Sequence, residues 1–219
     1  MLSNADPGRI RLIRRALRLE ALTAGWMAIE ATVSIGSGIV AGSLSLIAFG
    51  ADSVIELASA AVLLWRLRTE LEQGTDFSEV IERRAGRIAG ALLFALAAYV
   101  IVSAAFGLWR REGQEFSTPG LVVTLLAIPM MFALSKAKIR IARELGSRAL
   151  RADAIESIAC GYLAAVVVVG LVAQGLFGAW WIDSLTSLAI VAFLVREGRE
   201  AWSGDDANDE AGALNGNAL

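Results

Sequence analysis

The sequence predicts an all-α membrane protein: six transmembrane helices in two inverted three-helix repeats, with both termini cytoplasmic. Three observations lead there. The chain is 56% hydrophobic with a mean hydropathy of +0.60, too apolar for a soluble domain of 219 residues. Apolar runs of about 20 residues, the length that crosses a bilayer, recur along it. Lysine and arginine fall almost entirely on one side of those runs, and orientation follows basic residues in short loops far more than it follows net charge.

The spans lie near residues 20–41, 44–67, 87–109, 118–137, 149–173 and 180–196. Ahead of the first, residues 1–19 form a basic cytoplasmic segment with Arg9, Arg11, Arg14, Arg15 and Arg18. It resembles a secretory signal only superficially, because the run behind it is too long and has no cleavage site, so it reads as a retained helix. Between the second and third spans, the charged stretch from Arg68 to Arg87 has room for a short surface helix. After the six-helix domain of residues 20–202, the small, polar, acidic tail of residues 203–219 is expected to stay disordered, with no cytoplasmic C-terminal domain.

The basic residues fix the orientation. Arg66, Arg68, Arg83, Arg84 and Arg87 flank the second connection, and Lys136, Lys138, Arg140, Arg143, Arg148 and Arg151 flank the fourth. Arg196 and Arg199 close the sixth span. All share the side of the N-terminus, while Arg110 and Arg111 lie opposite. Trp65, Trp109, Trp180 and Trp181 sit at span ends, where an amphipathic ring favours the headgroup layer. A single cysteine excludes an internal disulfide, and the absence of histidine removes the commonest metal ligand and proton shuttle.

Two segments of the chain match each other without a gap: GSLSLIAFGADS (Gly42 to Ser53) and GSRALRADAIES (Gly146 to Ser157). Asp52 falls on Glu156, and four residues on Glu56 falls on Cys160. The second and fifth spans run in opposite directions, so the copies are inverted, an arrangement that places a transporter's binding site near the midplane between repeats.

Asp52 and Glu56 stand one helical turn apart on one face, as do Glu156 and Cys160, so two helices can present four ligands. An ionised carboxylate at mid-membrane costs about 2.5–3.5 kcal/mol on insertion scales, and two in one helix need compensation. No lysine or arginine is expected inside the bundle, so the positive charge should arrive as a bound cation or as protons. Three oxygens and a thiolate suit a borderline divalent metal such as Zn2+, Mn2+, Fe2+ or Cd2+. Glu30 is a third intramembrane acid, an accessory group or proton relay. Asp153, near Arg151, reads as a charge at the cytoplasmic mouth or a salt-bridge partner. Asp183, after Trp180 and Trp181, reads as an interfacial cap. Gly38 with Gly42, and Gly86 with Gly90, permit close helix contact.

AGSLSLIAFGADSVIELASA, RADAIESIAC and WWIDSLTSLAIVAFLVREG together resemble the transmembrane domain of the cation diffusion facilitators, over about residues 12–202. The resemblance implies a multi-pass protein of the bacterial inner membrane, a transporter and not an enzyme. It implies that a divalent transition metal (zinc first, or manganese, iron, cobalt or cadmium) leaves the cytoplasm in exchange for protons. The family's acid pair in the second helix falls on Asp52 and Glu56. Its usual His-xxx-Asp pair in the fifth falls on Glu156 and Cys160, a departure in both positions. Typical members continue into a cytoplasmic metal-binding domain that holds a dimer together, so a homodimer here is expected to rest on membrane helices. Lipid is the expected surrounding, and no nucleic acid is expected as a partner. The competing readings are a proton-coupled exporter of organic cations, which needs an aromatic-lined cavity, and a non-transporting accessory protein that binds metal in the bilayer.

Overall fold

A computed structural model describes residues 7–73, 79–110 and 115–203. Six helices account for nearly all of it: α1 (Pro7–Ala41), α2 (Leu44–Gln73), α3 (Glu79–Arg110), α4 (Thr118–Leu145), α5 (Arg148–Phe177) and α6 (Ile182–Ser203). No strand occurs among the described residues. By length and composition five of the helices can cross a membrane. The sixth, α6, is more polar, with Asp183 in its first turn and Arg196, Glu197 and Arg199 near its end.

The helices are longer than the apolar runs. At about 1.5 Å per residue the 35 residues of α1 reach about 52 Å, well beyond the hydrocarbon core. The basic segment is thus the first part of α1, continuous from Pro7. In the charged stretch between the second and third spans, residues 68–73 continue α2 and residues 79–87 open α3, since Glu, Leu and Arg favour helix and extend one already nucleated, while residues 74–78 lie outside the described residues. The acidic tail from residue 204, residues 1–6 and Arg111 lie outside the described residues.

Packing follows the repeat. α1 lies against α2 and α4, α4 against α5, and α2 against α5, while α3 and α6 pair with each other and touch α2 and α5. Exchanging the first three helices with the last three leaves this pattern nearly unchanged. The turns that open the two matched segments are also alike. Gly42 and Gly146 adopt φ of +66° and +67°, a left-handed conformation that glycine enters without steric cost. The next residue's N–H reaches back in each copy, Ser43 to the Gly38 carbonyl at 2.9 Å and Ser147 to the Ala142 carbonyl at 3.0 Å. Each serine hydroxyl then accepts from the N–H three residues on, Leu46 or Leu150, at 3.3 Å. Gly42 is therefore a turn residue and not a packing one. Gly38 does pack, but inside the chain: a Cβ there would stand 3.0 Å from the Ile47 backbone nitrogen.

The main core gathers Met27, Phe49, Met131, Leu163, Leu171 and Ile190 among others. A second cluster, with Ile13, Leu63, Leu67, Ile141 and Leu150, closes the arginine-rich end. Large apolar side chains such as Val102, Val169 and Leu176 face outward, as a hydrocarbon solvent requires. Trp109, Trp180 and Trp181 are exposed at or beside helix ends, and Trp65 is exposed about two turns before the end of α2.

Candidate cation site

The buried stripe of α2 reads Leu46, Phe49, Asp52, Ser53, Glu56, Ala60, Leu63 and Leu67, steps of three and four that put both acids on the core-facing side. Asp52 is fully buried and Glu56 is 7% exposed. Neither oxygen of either carboxylate has a hydrogen-bond partner. Four orphaned acceptor atoms in a membrane interior are costly unless protons or a cation meet them. Glu197 of α6 joins the pair: one oxygen from each of Asp52, Glu56 and Glu197 lies within 4.8 Å of the others. Glu197 is half-buried, so it is the member of the three nearest to an exit.

Glu30, on α1, is buried beside this group but its own needs are met. Trp26 Nε1 donates to Oε2 at 2.8 Å, and Ser53 Oγ donates to Oε1 at 2.6 Å. Cys160 of α5 gives its thiol to the same Oε1 at 3.6 Å. The cysteine is fully buried and also near enough to Glu56 and Asp52 to interact electrostatically. Glu156, one turn earlier on α5, is half-buried and acts on Asp52 and Glu56 through space. Of the residues singled out from sequence, Asp52 and Glu56 thus converge, Cys160 is engaged by Glu30, and Glu156 stands at longer range.

The family described as the cation efflux transmembrane domain matches residues 22–203, most of the chain and all of these residues. The chain belongs to the cation efflux family, the cation diffusion facilitators. It is a multi-pass membrane protein of a transporter family. No individual curated protein matches it at a significant level.

This cation efflux protein does hold a lysine inside its bundle, contrary to the sequence expectation. Lys138 of α4 is fully buried. Its ammonium lies 2.9 Å from Oε2 of the equally buried Glu20 on α1, pairs with Asp153 on α5, and reaches Ser157 Oγ at 3.5 Å. Asp153 is therefore a salt-bridge partner, of Lys138 and not of Arg151. The ammonium is committed to these partners, so the charge of Asp52 and Glu56 is left uncompensated by it. The two aligned serines play mirrored parts: Ser53 binds an acid from α1, Ser157 a base from α4.

Asp183 caps a helix, but the helix it caps is α2. Its Oδ2 accepts from the Leu44 N–H at 2.7 Å, and its Oδ1 accepts from Ser43 Oγ at 2.8 Å, Ser45 Oγ at 2.6 Å and the Ser45 N–H at 3.2 Å. A carboxylate of α6 thereby satisfies the first turn of α2 and faces the positive end of its dipole.

Sequence reasoning missed Glu20, Lys138 and Glu197. Helical register carried a signal for each. Lys138 continues the α4 stripe Met131, Leu134, Ser135, Lys138, Ile141, Ala142, and Glu20 continues the α1 stripe Ile13, Ala16, Glu20, Thr23, Met27. Glu197 follows Ile190 and Leu194 by seven and three residues.

Proposed function

We propose that this cation efflux protein exports a divalent transition-metal cation of the Zn, Mn, Fe, Co or Cd class from the cytoplasm across the bacterial inner membrane, in exchange for protons. Asp52 and Glu56 receive the ion, and Glu156 and Cys160 on α5 join them as the repeats move. The observation that carries this reading is the set of four unpartnered, buried carboxylate oxygens on one face of α2. A divalent cation relieves both the repulsion between the two acids and their loss of water. Protons relieve the same oxygens, so metal and protons exclude one another there, and that exclusion is the coupling. An organic cation fits this pair less well, because such a cargo calls for an aromatic-lined cavity, whereas Trp65, Trp109, Trp180 and Trp181 are exposed.

Assembly as a homodimer through the membrane helices belongs to the same reading and is checked by cross-linking in the native membrane. The transport reading is tested by counterflow in proteoliposomes with Zn2+, Mn2+, Co2+ and Cd2+. Metal loaded inside should accelerate uptake of the same labelled metal. No acceleration with any of the four overturns the proposal.

A further inference from the structure

α6 brings a third carboxylate to the pair on α2. We propose that Glu197 is a cargo ligand, which makes the site in this conformation an all-oxygen one suited to a hard divalent cation of the Mn2+ type. The proposal rests on the reading of Asp52 and Glu56 as cargo-binding residues.

Three acids whose oxygens approach within 4.8 Å repel one another, and two of them are buried with no hydrogen bond to spread their charge. Metal–oxygen bonds of about 2.1 Å hold ligand atoms no more than about 4.2 Å apart, so the cluster needs only a small contraction to close on an ion. The position of Glu197 is set by register, because Ile190, Leu194 and Gly198 around it are buried in the α6 interface.

The donor set is specific as well. The chain has one sulfur that could act as a thiolate, and although it lies near Glu56 it is not among the three groups that converge within 4.8 Å, its thiol being given to Glu30 at 3.6 Å. Carboxylate oxygens alone favour Mn2+ over Cd2+ relative to a site that includes sulfur. Direction follows from the helix ends. Glu197 is half-buried and six residues before the end of α6, about 9 Å, at the arginine-rich end. Along α2 from that same end, Glu56 comes before Asp52. An ion arriving there meets Glu197, then Glu56, then Asp52.

The test is Mn2+ and Cd2+ binding to the full chain in lipid nanodiscs, by calorimetry and by the Mn2+ paramagnetic resonance signal. Wild type is compared with Glu197→Gln, Glu197→Cys and Asp52→Asn. Glu197→Gln should weaken Mn2+ at least tenfold with the metal-free melting temperature unchanged. Glu197→Cys should lose Mn2+ to the same extent and gain Cd2+ affinity, a reversal that a structural role does not produce. Asp52→Asn should lose both ions. Wild-type Mn2+ affinity in Glu197→Gln, or no gain of Cd2+ in Glu197→Cys, overturns the role of Glu197 while the loss in Asp52→Asn leaves the α2 site standing. Undiminished binding by Asp52→Asn overturns the α2 site itself, and the proposal with it.

Discussion

Ser53 donates to Glu30 across the α1–α2 interface at 2.6 Å, one residue along the chain from Asp52, whose oxygens accept nothing. Neighbouring acids of similar burial are thereby sorted into two kinds. Glu30 ties α1, α2 and α5 together through Ser53, Trp26 and Cys160, and its charge is spread over three donors. Asp52 and Glu56 are left with their acceptor capacity intact. In a low-dielectric interior an acid of the first kind organises the fold, whereas an acid of the second kind is held ready for a ligand.

Cys160 stands between these two groups, bonded to Glu30 and close to Glu56. Cys160→Ser keeps a donor toward Glu30, so the fold should persist. Loss of the soft sulfur should weaken Cd2+ binding by about tenfold, roughly 1.4 kcal/mol, with Mn2+ little changed. Competitive binding of the two ions to purified wild type and variant makes the comparison. Equal Cd2+ affinity in both assigns Cys160 to packing alone.

The Lys138 cluster yields a stability prediction. Removing one member of a buried ion pair leaves the others uncompensated and typically costs about 3–5 kcal/mol. Lys138→Met should therefore lower the melting temperature sharply, since Glu20 and Asp153 lose their shared cation. Adding Glu20→Gln and Asp153→Asn to Lys138→Met removes the stranded charges and should recover much of the loss. Thermal unfolding in one detergent decides it, and a single variant as stable as wild type would contradict the account.

Asp183 makes a narrower prediction. Its carboxylate serves the N-terminus of α2 from another helix, so Asp183→Ala should fray that turn and cost about 1–2 kcal/mol, the scale of a lost cap. Asp183→Asn retains one acceptor oxygen and should cost less. Hydrogen exchange should quicken at the amides of Leu44 and Ser45 and stay slow in the middle of α5. Protection unchanged at Leu44 would show that the α2 turn holds without Asp183.

Much of this was legible in the chain because bilayer physics writes large signals. Six apolar runs follow from the cost of burying polar groups, the one-sided distribution of arginine follows from the orientation rule for membrane loops, and the burial cost again makes Asp52 and Glu56 conspicuous. The repeat was legible at Gly42 and Gly146 because a left-handed turn restricts residue choice. Lys138 was hidden by its company: Lys136, Arg140 and Arg143 around it are exposed, and only the three-and-four spacing of the α4 stripe separates it from them. Glu197 sits in REGRE, which reads as a solvated helix end. Its nearness to Asp52 is a fact of tertiary packing between α2 and α6, and no spacing along one helix encodes that.

Proton exchange supplies the last prediction, through the absence of histidine. With no imidazole in the chain and the Lys138 ammonium committed to Glu20 and Asp153, protons exchanged for metal ride on carboxyl groups or on the thiol. Binding of a cation to protonated oxygens expels their protons, so metal affinity should fall as pH falls and metal uptake should drive protons the other way. Asp52→Asn is nearly isosteric, and an amide is cheaper to bury than a carboxylate, so the bundle should stay folded. The site loses one of its negative charges and neutralises a divalent ion less well, so transport should cease. The measurement is metal-driven proton flux across liposomes, with a pH-sensitive dye inside, for wild type and for this variant at the same reconstitution density. Wild type should acidify or alkalinise the lumen in step with metal movement, and the variant should show neither flux. Metal uptake by wild type that ignores an imposed pH gradient would separate the metal from the protons, and undiminished uptake by the variant would return Asp52 to a structural role.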